Sequence, residues 1–186
     1  MTSAGHSLNP GVTMIASTTP VDATRGPGSE TNRSFGAPTI VRAGAGRTIR
    51  SFGNEIEFKL TTELTGGTLS LGLATVTPGK SPPPHTHHRE EELFIILEGR
   101  YRFFVDGEWV EDVGPGSVVY LPRGCTHTFE AVGETPGRHW TLQTPSGFER
   151  YFERAGQVLS QPGGPDFGKL AALNAEFGYS FVSPNE

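Results

Sequence analysis

From residue 37 onward the chain cannot run far before a turn-former stops it. Gly66-Gly67, Pro78-Gly79, Asp106-Gly107, Gly114-Pro115-Gly116 and Pro136-Gly137 cut it into short stretches. In a helix interior glycine costs about 1 kcal/mol and proline about 3 kcal/mol relative to alanine, so a helical bundle or coiled coil is excluded. The stretches between the turns are β-prone: 39–42, 48–52, 55–60, 69–77, 91–97, 101–105, 117–121, 126–132 and 139–144. Asp106-Gly107, set between Phe103-Phe104-Val105 and Trp109-Val110, is a two-residue hairpin signal. Nine short strands at this spacing read as an all-β sandwich or barrel.

The two ends differ from the middle. Residues 1–36 are dominated by Thr, Ser, Gly, Pro, Ala and Asn without periodicity, and so bury too little apolar surface to offset their ordering entropy. They are expected to be a disordered tail; the rival reading is an arm docked on a partner subunit through Val12, Met14 and Ile15. Residues 37–146 form the β domain. Residues 147–186 turn helical and are expected to pack on it. Ser146-Gly147-Phe148-Glu149 fits a capping box ahead of an apolar stripe of Phe148, Tyr151, Phe152 and Ala155. Asp166 can cap a second helix carrying Leu170, Leu173 and Phe177 and ended by Gly178. The low hydrophobic content, 34%, fits a Gly/Pro-rich β domain with a polar tail.

Charge and cysteine narrow the partners. Fifteen Lys and Arg against 20 Asp and Glu leave a net charge of −5, and no basic block exists to neutralise phosphates. Nucleic acid and anionic membranes are therefore not expected. The single Cys125 excludes an intrachain disulfide and a cysteine-based zinc cluster. No apolar run approaches the ~18 residues of a membrane helix, no secretory leader is visible, and a cytoplasmic setting is expected.

Five of the six histidines lie between residues 85 and 139, three of them in His85-Thr86-His87-His88. On a strand, i and i+2 point the same way, so His85 and His87 can converge while His88 faces away. Glu90, Glu91 and Glu92 follow. His127 comes forty residues after His87, just past Pro122-Arg123-Gly124. Imidazoles plus a carboxylate suit one divalent transition-metal ion (Fe, Mn, Ni, Co or Zn) and disfavour Ca and Mg.

The spacing reads Gly79-x5-His85-x-His87-x4-Glu92-x6-Gly99, then Gly116-x5-Pro122-x-Gly124-x2-His127. These segments resemble the paired motifs of the cupin superfamily, with nine of ten motif positions matching across 79–131. The tenth, an Asn in the family, is Ala131 here. The resemblance implies a small jelly-roll β-barrel, a metal held by His85, His87, Glu92 and His127, and a homodimer. Three acids compete for the carboxylate position: strict alternation from His87 favours Glu91, whereas the motif spacing selects Glu92. If Glu92 points inward, Phe94 and Ile96 join it, Leu93, Ile95 and Leu97 pack outward, and Phe129 lines the interior. Tyr101, Tyr120 and Thr126 are candidates to orient the imidazoles. Cys125 is expected to be a small buried hydrophobe and His139 to be structural or exposed.

Within the superfamily the chain is similar to single-domain flavonol (quercetin) 2,3-dioxygenases. That likeness rests on the segment from Pro82 to Glu92, on Leu97-Glu98-Gly99, on Gly147 to Phe152 and on the helical pattern around Leu170 to Phe181. It implies O2-dependent cleavage of an aromatic or enolic small molecule, with Glu92 as ligand and base. Other metal cupins are isomerases, cyclases or decarboxylases, and a non-catalytic small-molecule-binding module is a further alternative.

Overall fold

The computed structural model describes residues 12–14 and 36–182. Its strands are β1 (Val12–Met14), β2 (Thr39–Val41), β3 (Arg47–Ser51), β4 (Asn54–Leu60), β5 (Ser70–Val76), β6 (His85–His87), β7 (Glu91–Glu98), β8 (Arg100–Val105), β9 (Glu108–Val113), β10 (Val118–Leu121), β11 (Thr126–Val132), β12 (Gly137–Thr144) and β13 (Tyr179–Phe181). Its helices are α1 (Thr62–Thr65), α2 (Phe148–Leu159) and α3 (Phe167–Phe177). A six-stranded sheet runs β10-β7-β12-β5-β4-β3 and a five-stranded sheet runs β13-β6-β11-β8-β9, with β1-β2 as a separate pair. The all-β class and the jelly-roll barrel with C-terminal helices are as expected.

The inward faces of the two sheets meet over Phe58, Val76, Phe94, Ile96, Phe103 and Leu121. Each such side chain contributes about 1.5–3 kcal/mol by leaving water. Along β7, Glu92, Phe94 and Ile96 are buried while Ile95 and Leu97 are exposed, the alternation expected of a strand with one face inward. At the β8–β9 hairpin, Asp106 and Gly107 have φ of 45° and 103°. Two left-handed residues in succession fit the turn whose twist suits paired strands. Gly99, between β7 and β8, has φ of 81°, and a Cβ there would lie 2.8 Å from the Gly137 Cα. This motif position is thus closed to any side chain.

The ends of the chain depart in part from expectation. Val12–Met14 pair with Thr39–Val41; the rest of the segment expected to be a tail, up to residue 35, lies outside the described residues. Helix α2 starts where the aromatic stripe begins, but Ser146 does not cap it. The N-cap is Gly147, and Glu149 reaches back to accept from its N–H at 2.8 Å. The other Glu149 oxygen accepts from Thr62 N at 2.8 Å, so this buried carboxylate ties α1 to α2. Ser146 Oγ lies instead 2.9 Å from Thr62 Oγ1. Asp166 does cap α3, accepting from Lys169 N at 3.0 Å, and left-handed Gly178 ends it. The helical pattern expected to continue to Phe181 stops there, because Tyr179–Phe181 form β13 beside β6. No helix among the described residues is long and apolar enough to cross a membrane.

Candidate metal centre

Strand β6 carries His85 and His87 and is held on both edges. His85 sits across from His127 of β11, and Tyr179 of β13 sits across from His87. The imidazoles of His85 and His127 approach to 4.3 Å between centroids. Glu92 arrives from the opposite sheet on β7. One potential ligand atom from each of His85, His87, Glu92 and His127 lies within 4.8 Å of every other, and all four residues are buried. The four positions singled out by motif spacing therefore meet at one point.

The bend at residues 88–90 explains why strand parity misleads. It resets the alternation, so Glu92 turns inward while Glu91 faces Arg123 at 3.2 Å on the outer side. His88 also faces away, its Nε2 2.9 Å from Ser180 Oγ. Cys125 is buried and free, and its thiol is not among the clustered ligand atoms.

Backbone carbonyls, not the tyrosines or threonine singled out earlier, orient two of the imidazoles. Nδ1 of His85 donates to Pro83 O at 2.8 Å, and Nδ1 of His127 donates to Cys125 O at 3.1 Å. Each Nε2 is thereby left with its lone pair toward the centre. Tyr101 is buried against His139 instead, Tyr120 is exposed, and Thr126 Oγ1 pairs with Thr86 Oγ1 at 3.0 Å. Nε2 of His127 lies 3.1 Å from Glu92 Oε2. Two acceptors opposed at that distance call for a cation, proton or metal, between them. Three nitrogens and one carboxylate oxygen thus suit a divalent transition metal.

Glu92 is fixed from its far side. Its Oε1 accepts from Gln143 Nε2 at 2.7 Å and from Thr141 Oγ1 at 3.2 Å. Gln143 in turn accepts from Ser70 Oγ at 3.0 Å. Oε2 is left for the centre. Burial pushes the Glu92 carboxyl up, but His87, His127 and His85 outweigh it and hold the group well below the usual carboxylate range. Burial, reinforced by His127 and His87, holds His85 well below its ordinary value, which keeps it neutral and able to ligate.

Ser70, Thr141 and Gln143 were missed in the sequence. A signal existed: His139, Thr141 and Gln143 occupy alternate positions of β12, and all three are buried while Trp140 and Leu142 are half-buried on the other face. A polar inward face inverts the usual pattern and marks a strand passing a site. His139 is neither exposed nor remote. It is 1% exposed, its Nδ1 lies 3.1 Å from Tyr101 Oη, and burial lowers its pKa to about 4.

His85, His87 and Glu92 line a cavity of about 50 Å³, walled chiefly by Phe94, Phe129, His139, Phe148, Phe152 and Tyr179. Phe148 of α2 stands 4.2 Å from the His87 ring. Tyr179 stands 5.0 Å from His85. The C-terminal extension thus supplies part of the wall.

Residues 72–141 match the family model for the cupin domain. An uncharacterized protein of Methanocaldococcus jannaschii is 37% identical over 67 residues, covering 36% of this chain and 53% of that protein. Germin-like protein 5-1 of Oryza sativa subsp. japonica is 29% identical over 101 residues, covering 50% of this chain and 46% of that protein. The chain therefore spans about half the length of these two relatives. Among solved structures, a predicted oxalate decarboxylase from Thermotoga maritima is 24% identical, covers 57% of this chain and 98% of its own, and superposes with a TM-score of 0.50. The matched segment resembles the cupin domain, and the Thermotoga maritima structure shares the barrel fold built around it.

Proposed function

We propose that this protein is a metal-dependent cupin dioxygenase that cleaves a small enolic molecule with O2. The observation that carries the reading is the convergence of His85, His87, Glu92 and His127, three of which, His85, His87 and Glu92, line an apolar cavity. When bound there, a divalent transition metal supplies a Lewis acid that acidifies a substrate hydroxyl and a centre at which substrate and O2 can meet.

The chain's own residues set the rest. Gln143 and Thr141 hold Glu92 in one orientation, and its depressed pKa suits a ligand better than a base. Phe94, Phe129, Phe148 and Tyr179 exclude water and favour an apolar or aromatic body. Size selects within the substrate class. A cavity of about 50 Å³ has room for a few waters at the ~10–15 Å³ each requires. A three-ring flavonol needs the aromatic wall to move; a small enolic dicarbonyl does not. A homodimer belongs to the same reading, supported by the outer row Leu73, Trp140, Ile95 and Val118 across four neighbouring strands.

The test is oxygen uptake by protein loaded separately with Fe(II), Mn(II), Co(II) and Ni(II), on a panel of enolic diketones and flavonols, with Glu92→Ala as control. Uptake that needs the metal, fails in the control and carries labelled oxygen from O2 into product supports the proposal. Metal-loaded protein that consumes no O2 refutes it for those substrates and favours isomerase, cyclase, decarboxylase or binding chemistry.

A further inference from the structure

Two buried atoms beside the centre have no hydrogen-bond partner: Nδ1 of His87 and Oε2 of Glu90. They face each other at 3.7 Å, just beyond hydrogen-bond reach. Glu90 is only 6% exposed. A buried carboxylate oxygen without a partner is costly, and so calls for an explanation.

The local chain explains how it comes to be there. In the bend between β6 and β7, His88 N donates to Gly178 O at 2.8 Å and Arg89 Nη1 donates to Glu176 O at 2.7 Å. Both neighbours are thus anchored on the C-terminal extension, and Glu90 is left beneath His87. The other two imidazoles have Nδ1 committed to backbone carbonyls; His87 does not.

We propose that Glu90 is the positioning residue for His87, accepting its Nδ1–H and thereby reserving Nε2 for the metal. The inference rests on the metal-dependent reading above. A movement of under about 1 Å converts the 3.7 Å approach into a hydrogen bond. A carboxylate acceptor raises the donor strength of the imidazole and fixes its tautomer.

The experiment is a Co(II) titration of metal-free wild type and Glu90→Gln, read by the visible d–d bands and by calorimetry, with thermal melts of both metal-free proteins. Glu90→Gln should bind Co(II) about 10- to 100-fold more weakly, while its metal-free melting temperature is unchanged or raised, because the carboxylate oxygen it replaces has no hydrogen-bond partner to lose. In zinc-loaded, 15N-labelled protein, the Nδ1–H resonance of His87 should move in the variant and those of His85 and His127 should stay. Equal Co(II) affinity and an unmoved His87 resonance would overturn the assignment. So would a metal-free variant that melts lower or fails to fold, which marks a purely structural role. Wild type that binds no Co(II) would instead overturn the metal reading itself, and this inference with it.

Discussion

Replacing Gln143 with Leu tests whether the Ser70–Gln143–Glu92 chain holds the candidate metal centre in place. The substitution keeps roughly the same volume but removes the donor 2.7 Å from Glu92 Oε1 and the acceptor 3.0 Å from Ser70 Oγ. Ser70, Gln143 and Glu92 are all buried, so water cannot replace either partner. A hydrogen bond to a charged group contributes about 1.5–3 kcal/mol, and stranding a buried hydroxyl costs about 1–3 kcal/mol. Because Thr141 still donates to Glu92, a loss of about 3–5 kcal/mol is expected, or roughly 6–20 °C in melting temperature for a chain of this size. The assay is urea unfolding of the metal-free protein, since a bound ion would shift the equilibrium by mass action. A double-mutant cycle sharpens it: Ser70→Ala should destabilise wild type and be neutral or stabilising in Gln143→Leu. A loss below about 0.5 kcal/mol, the range of ordinary surface substitutions, or additive effects of the two substitutions, would refute the reasoning.

Acid sensitivity should trace in part to His139, whose pKa falls from 6.5 to about 4 because it is buried. The unfolded chain binds the extra proton first, so stability is full above pH 6.5 and declines as pH falls toward 4, by about 3 kcal/mol; His139→Phe should flatten that limb in urea melts at pH 7, 5 and 4. Chelation should lower the melting temperature of metal-loaded wild type by about 5–10 °C when free metal stands near 100 times Kd, and Glu92→Ala should show no metal-dependent shift by the same thermal scan. Gly99→Ala forces a left-handed alanine against the Gly137 backbone and should cost at least about 1–2 kcal/mol, seen as a lower urea midpoint.

Much of the site could be read from spacing, because cupin-like motif positions coincide with places where the chain has no freedom. Gly99 has no room for a Cβ, and His85, His87 and His127 sit on neighbouring strands in register. Glu92 was legible only through the motif, since alternation alone pointed to Glu91; a bend of three residues is invisible to a parity count. The groups that hold Glu92 were not legible, because Ser70 and Gln143 are 73 residues apart and meet only through sheet pairing. Similarly, nothing local marks 179–181 as a strand. Tyr179–Phe181 follow a helix directly, and their extended form is set by the free edge of β6.

That last pairing has a consequence for how the protein assembles. The ligand strand is stapled on one side by residues made forty positions later and on the other by residues made more than ninety positions later. Both contacts are long-range, and long-range pairings form slowly. A nascent chain that has just exposed His85 and His87 therefore has neither edge partner in place, nor Glu149 tied to Thr62, nor Phe148 over the imidazole. The four residues that could hold a metal ion come together only once β6, β7 and β11 are all in place, so a complete site is a product of the finished topology rather than of any short segment.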